Sequence, residues 1–185
     1  EMQDHIHDKN RPENLAFLEE LRALLDRYDA RMMVGEVGES GAKAVRLMAD
    51  YTAGDMRLHM AYSFELLAPT YTAAHFRAAV EGFYAGAPDG CPCWAFSNHD
   101  VIRHASRWSG HGAHGDLARQ AAALLLSLEG SVCLYQGEEL GQTETDILFE
   151  ELTDPPGKAF WPDYKGRDGC RTPMVWDGSP QGGFT

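Results

Sequence analysis

Acidic and imidazole side chains stand at three places where a short apolar run gives way to polar residues: Glu36, the pair His99 and Asp100, and the group Gln136, Glu138 and Glu139. Each follows a segment that reads as a buried strand. In parallel α/β proteins ligands bind at the carboxyl ends of strands, where the connecting loops gather. Taken singly, an acidic residue in such a loop also serves to cap the next helix. Three clusters at equivalent positions point to a polar ligand site.

Other residue groups permit more than one chemistry. His5 and His7, bracketed by Asp4 and Asp8, have the spacing of a small metal site, since a His-x-His pair faces one side of a strand and carboxylates complete a coordination shell. A solvated loop is the preferred reading, and no metal is assigned. His104, His111 and His114 flank Gly110, Gly112 and Gly115 in what reads as a mobile loop, where ligand contact or solvation is preferred to a metal or proton relay. Trp94 lies in a strand and is read as core. Trp161, in a long loop, is open to either packing or stacking on a ligand.

The elements that position these groups follow from hydrophobic spacing. Asn10, Pro12 and Glu13 read as a helix start. Leu15, Leu18, Leu21, Leu25 and Tyr28 then form an apolar stripe at spacings of three and four, with an end expected near Asp29. Residues 31–36 read as a strand delivering Glu36, residues 43–51 as a weak helix and residues 56–64 as a second strand. A helix starting at Thr72 carries Phe76, Val80 and Phe83 on one face. Residues 93–97 form a third strand. Residues 115–128 form a strong helix with Leu117, Ala121, Leu124, Leu125 and Leu128 inward and Gly130 as its stop. Residues 131–135 are the fourth strand. Strands alternating with helices mean a parallel sheet of βα units, and the fold class is α/β. From residue 142 onward the periodicity dissolves into a Pro/Gly-rich and aromatic tract, long enough to expect a function for it.

Composition sets outer limits. The 185 residues suffice for one well-buried domain of ordinary globular composition, 44% hydrophobic and 24% charged. Sixteen basic against 28 acidic side chains give a net charge of −12, which disfavours a grip on nucleic acid or anionic lipid and favours neutral or cationic ligands. The strongest apolar stretch, residues 124–128, is far short of the roughly 20 residues of a membrane span. Cys91, Cys93, Cys133 and Cys170 are irregularly spaced and are read as reduced thiols, in keeping with a cytoplasmic setting.

These motifs carry a resemblance. Met33-Val-Gly-Glu-Val37 and Phe96-Ser-Asn-His-Asp100 resemble the fifth- and seventh-strand motifs of the α-amylase family of glucoside-active enzymes. Tyr135-Gln-Gly-Glu-Glu-Leu-Gly141, Asp154-Pro-Pro-Gly-Lys-Ala-Phe-Trp161 and Gly166-Arg-Asp-Gly-Cys-Arg-Thr-Pro-Met-Val-Trp176 are similar to the eighth-strand region of its α-glucosidase and oligo-1,6-glucosidase branch. The opening Asp8-Lys-Asn-Arg-Pro-Glu-Asn14 resembles the approach to the fourth barrel helix, so the likeness covers essentially the whole chain.

The resemblance implies a partial (β/α)8 TIM barrel, strands five to eight with their helices, residues 1–185 being the C-terminal half of the catalytic barrel without the upstream half or a C-terminal β-domain. It implies retaining chemistry on small α-glucosides, which uses two carboxyl groups about 5 Å apart, one as nucleophile and one as acid then base, and no cofactor. Glu36 matches the acid/base. Asp100 matches the carboxylate that holds sugar hydroxyls, His99 the histidine beside it, Asn98 its neighbour in the same motif, and Arg167 a loop arginine bordering the substrate. The sequence departs from the family in holding no Gly-x-Arg-x-Asp segment, where the nucleophile lies. An isolated chain is therefore expected to be inactive. Unpaired strand edges and an uncovered inner face, with Met32, Met33, Phe64 and Phe96 exposed, lead to an expectation of self-association or pairing with the missing half. A glucosyl transferase or sugar isomerase on the same barrel and a non-catalytic sugar-binding or assembly module remain as alternatives.

Overall fold

The computed structural model describes residues 5–184, so Asp4 of the histidine-rich opening lies outside the described residues. The chain divides into two compact units. The first comprises the described residues to Ala68, with Thr72–Trp94 and Glu129–Ser131; the second comprises Pro69–Tyr71, Ala95–Leu128 and the described residues from Val132.

The first unit runs α1 (Asn14–Leu25), β1 (Val34–Val37), α2 (Gly41–Thr52), β2 (Met60–Ser63), α3 (Ala73–Gly86) and β3 (Cys93–Trp94). It bears out the expected alternation of helix and strand. β1 and β2 are parallel, with Val34 opposite Met60 and Glu36 opposite Tyr62. Beside β2, the Ala61 amide donates to the Cys91 carbonyl at 3.3 Å, and Ala61 and Pro92 form a parallel bridge, which carries the same order on towards β3. Ser131 opens β4 (Ser131–Val132), and its amide donates to the Pro92 carbonyl at 3.0 Å.

Close packing of α2 and α3 on these strands explains several residue choices. Val37, Ala44, Met48, Ala61 and Phe83 are buried, and Trp94 stands edge-on to Phe83 at 5.7 Å with its indole N–H donating to the Glu129 carbonyl at 2.8 Å. Trp94 is thus core, as its place in a strand implies. A Cβ at Gly35 would run into Leu58 Cδ1, so β1 needs glycine just before Glu36. Gly130 adopts φ +106° and lies against Pro92, where any side chain would clash.

The second unit holds α4 (His104–Arg107), α5 (His114–Ser127), the short α6 (Pro155–Ala159) and the long tract after β4. Leu117, Ala121 and Leu125 are buried along α5 as their spacing predicts, while Leu124 is half-buried and Leu128 lies beyond the helix end. Trp108 is the centre of this core at 1% exposure. Tyr71, Phe96 and His104 surround its ring at 4.8, 5.3 and 5.4 Å, and the Arg107 guanidinium lies 4.8 Å above it. Phe96, expected to be exposed, is fully buried because Trp108 covers it.

Element boundaries differ from the sequence reading in a consistent direction. The strands are two to four residues long, since residues 95–97 are buried by packing without joining a ladder and Tyr135 already begins a turn. α1 ends at Leu25 rather than near Asp29, and Ala30, at φ +54°, turns the chain towards β1. Asn10 does not cap α1. It too has φ +54°, and its side-chain Nδ2 donates to Glu39 Oε1 at 2.6 Å. Among the described residues no helix is long and apolar enough to cross a membrane. Trp108→Ala should remove the centre of the second unit and cost about 3–5 kcal/mol, measured as a lower midpoint in urea unfolding.

Candidate active site

In the first unit β1 determines where Glu36 goes. Successive strand residues alternate faces, so with Val37 buried Glu36 projects to the opposite, exposed side. The parallel register sets Tyr62 of β2 beside it, and the Tyr62 hydroxyl donates to Glu36 Oε2. Glu36 is therefore an accessible carboxylate with one oxygen already held by a phenol. Further along the loop, Lys43 and Lys9 draw Glu39 below the usual carboxylate range, the Lys43 hydrogen bond being the largest cause.

In the second unit Asn98, His99 and Asp100 follow the buried residues 95–97. Asn98 is buried, and its Oδ1 accepts the Asp100 amide at 2.9 Å, which fixes the turn. Asp100 Oδ1 accepts from Arg167 Nη1 at 2.9 Å and from Arg171 Nη2 at 2.8 Å. His99 Nε2 lies 3.7 Å from Asp100 Oδ2, and the His99 carbonyl accepts from Arg171 Nε at 2.8 Å. Arg167 is gripped from behind by buried Asp154, which accepts from its Nη2 at 2.9 Å, its Nε at 3.2 Å and its backbone amide at 2.9 Å. The Arg167 hydrogen bond holds the Asp154 carboxyl below its ordinary value and, in return, raises the guanidinium. Asp168 ties the same turn by accepting the Thr153 and Asp154 amides at 2.5 and 2.9 Å. Four of the five expected site residues, Asn98, His99, Asp100 and Arg167, are brought together here, and Glu36 belongs to the first unit.

In the strand-end group Gln136 and Glu139 are exposed, whereas Glu138 is not. Glu138 is 4% exposed and lies under the surface, where Oε2 accepts the Tyr135 amide at 2.9 Å and Oε1 is 3.4 Å from His104 Nδ1. His104 is also buried and shares Nδ1 and its amide with Ser97 Oγ at 3.1 and 3.0 Å. Burial pushes Glu138 up to about 7 and His104 down to about 4, with the Arg107 and Arg103 charges adding to the effect on His104. Burial favours the uncharged form of both groups, which pack against each other inside the second unit.

The histidines of the opening segment and of the loop before α5 stand apart from further ligand groups among the described residues. His5 bonds to Asp8 at 3.1 and 3.2 Å, and His111 is exposed beside the Tyr71 ring; the His114 side chain lies outside the described ones. Among the described residues neither His5 and His7 nor His104 and His111 belong to a group of three that could hold a metal. Trp161 is half-buried, packed at 5.6 Å on Phe149 with the Lys165 ammonium 5.3 Å from its ring. Cys91, Cys133 and Cys170 are free thiols, Cys170 being pushed up to about 11 by burial. Tyr62, Asp154 and Arg171 were not singled out by spacing. Arg171 lies four residues after Arg167 in a quoted motif, but the acceptors it reaches are visible only in three dimensions.

The profile described as "Alpha amylase, catalytic domain" matches residues 1–185. The chain belongs to the α-amylase family. It is 52% identical over 99% of its length to a "Probable alpha-glucosidase" of Rhizobium meliloti (strain 1021), of which it covers 33%, and 30% identical over 95% of its length to an "Oligo-1,6-glucosidase" of Heyndrickxia coagulans, of which it covers 38%. Among solved structures it is similar to an alpha-glucosyl transfer enzyme at TM-score 0.89 and 52% identity, covering 99% of this chain and 34% of that one. It is also similar to the trehalulose synthase of Pseudomonas mesoacidophila MX-45 at TM-score 0.74 and 26% identity, covering 94% and 36%. This α-amylase-family chain thus spans about a third of the length of the relatives it matches.

The buried pair makes a pH test. Glu138 holds its proton more tightly folded than unfolded, so its contribution to stability is complete below its ordinary value of 4.5 and is lost as pH rises through about 7. His104 runs the other way, its contribution returning as pH rises from about 4 through 6.5. Glu138→Gln removes only the first. Urea unfolding at pH 5 and pH 8 should show the stability difference shifting in favour of Glu138→Gln at the higher pH.

Proposed function

We propose that residues 1–185 are the second half of the catalytic barrel of a retaining α-glucosidase-type glycoside hydrolase, strands five to eight with their helices, acting on small α-glucosides. Glu36 protonates the glycosidic oxygen of the leaving group and then removes a proton from the incoming water. Tyr62, bonded to one of its oxygens, limits the positions the carboxyl can take. Asp100 accepts hydroxyls of the glucosyl ring, with His99, Asn98 and Arg167 completing its surroundings. The nucleophile is supplied from outside these 185 residues, so the isolated chain does not turn over.

The observation that supports this best is the fixed state of Asp100, whose Oδ1 takes two guanidinium hydrogen bonds while Asp154 holds one of those guanidiniums from behind. A carboxylate fixed before substrate arrives is suited to gripping hydroxyls in a distorted ring without reorganisation. Glucosyl transfer is the second reading, favoured by the 52% identity to an alpha-glucosyl transfer enzyme. The two share every step to the glycosyl-enzyme and differ in whether water or a sugar hydroxyl completes the reaction.

Hydrolysis of p-nitrophenyl α-glucoside is the test, run on the chain alone and after mixing with a polypeptide that supplies the first four strands. Release of nitrophenol should appear only on mixing and fall about 10²- to 10⁴-fold in Glu36→Gln. Activity of the lone chain would place the nucleophile within these residues. None in an assembled mixture would favour a non-catalytic sugar-binding or assembly module. The chain alone should also self-associate, because Met32 and Val34 are more than half exposed beside β1. Sedimentation velocity should give a concentration-dependent mass above 20.5 kDa that drops on mixing with the complementary half.

A further inference from the structure

Arg167 and Arg171 both reach Asp100, but they are built differently. Of the hydrogen bonds that Arg167 donates, those from its amide, Nε and Nη2 go to buried Asp154 and that from Nη1 goes to Asp100. The Arg171 guanidinium spans two neighbours, Nε donating to the His99 carbonyl and Nη2 to Asp100 Oδ1, at the same 2.8 Å. A planar fork bonded to the carbonyl of one residue and the carboxylate of the next fixes the peptide between them and the side-chain rotation of the second. Both arginines take the same carboxylate oxygen. Oδ2, with His99 Nε2 3.7 Å away, is left to accept a hydroxyl.

Arg171 is itself set in place from below. Its amide donates to the Asp168 carbonyl at 3.0 Å, and the preceding carbonyl, that of Cys170, accepts from buried Arg103 Nη2 at 3.1 Å and from the Tyr135 hydroxyl at 2.9 Å. A half-exposed arginine would ordinarily sample many rotamers at a cost in entropy. Here the peptide that precedes it is held at both its N–H and its C=O and its two acceptors are adjacent, so one orientation is favoured.

We propose that Arg171 is a positioning residue for the glucosyl-transferring reaction, acting through Asp100 and the His99 carbonyl to present Oδ2 to a sugar hydroxyl. This rests on the functional reading given above. Without the fork Asp100 keeps only the Arg167 bond and can rotate about it. Misplacement of a gripping group by about 1 Å costs on the order of 10²-fold in rate. Lysine, with one compact ammonium, cannot donate along two directions of a rigid fork, so it should restore charge without restoring alignment.

The test uses the full-length enzyme carrying these residues, with p-nitrophenyl α-glucoside as substrate. Arg171→Ala should lower kcat about 10²-fold with KM changed less than threefold, and with a thermal midpoint close to that of the parent. Arg171→Lys should recover less than a tenth of the loss. In an Asp100→Asn background, Arg171→Ala should cost less than threefold more, because the two residues act as one unit. Fully additive losses, or complete recovery with lysine, would overturn the assignment by showing a role independent of Asp100. Unchanged kcat in Arg171→Ala, with Glu36→Gln inactive, would overturn it and leave the functional reading standing. An inactive parent enzyme would instead bring down that reading and this assignment together.

Discussion

A guanidinium that water barely reaches has to be answered by the chain, and in the second unit that group is Arg103, at 1% exposure. Its Nη1 donates to the Gln136 carbonyl at 2.6 Å and its Nη2 to the Cys170 carbonyl at 3.1 Å, its face lies 4.9 Å from the Tyr135 ring, and its amide donates to Glu144 Oε2 at 2.9 Å. Those partners come from separate stretches of chain. A buried cation held by both terminal nitrogens, even with Nε left without a hydrogen-bond partner, favours one arrangement, because losing these contacts leaves a charge or a carbonyl unpaired at a cost of about 1–3 kcal/mol for each neutral group and more for the charge. This side chain, together with the Tyr135 hydroxyl on the Cys170 carbonyl and the Thr145 amide on the Gly169 carbonyl, fastens the turn that bears Arg167 and Arg171 to the segment after β4.

The same logic organises the long tract that has no hydrophobic period. Asp154 and Asp168 replace a core there, accepting backbone amides and guanidinium donors within residues 153–168. Gly166, at φ +77° with Asp154 Oδ2 and Gly157 Cα where a Cβ would be, lets the turn close that tightly. Irregular chain can be rigid when its polar groups are paired internally. That rigidity suits a tract whose exposed residues hold a carboxylate in one orientation.

What could be read from the sequence was what periodicity and position encode. α5 lies within one residue of its expected limits because its stripe of Leu117, Ala121 and Leu125 really is the buried face. The carboxylate and imidazole at residues 36, 99 and 100 were visible as polar residues ending apolar runs. Glu138 looked the same in sequence, yet it is buried with His104, because one dimension does not say which side of the chain a residue faces. The run at 95–97 is apolar and buried like a strand but makes no ladder, a distinction hydrophobicity does not carry. Tyr62 and Arg171 needed the register of β1 on β2 and the path of the last turn, both set by long-range contacts.

The four-residue pairing of β1 with β2 also bears on how such a chain can change in length. Val37 is buried and Glu36 exposed only because they are consecutive on a strand whose register is set by Val34 opposite Met60 and Gly35 opposite Ala61. Inserting or deleting one residue between Val34 and Glu36 would turn the carboxylate into the core and the valine out to solvent. Loop insertions between Gly38 and Ser40 carry no such register penalty, since they lie beyond the paired residues and before α2 begins at Gly41. The region is thus intolerant of length change over a few positions and permissive just past them, and the boundary between the two regimes falls within a single turn of chain after the glutamate.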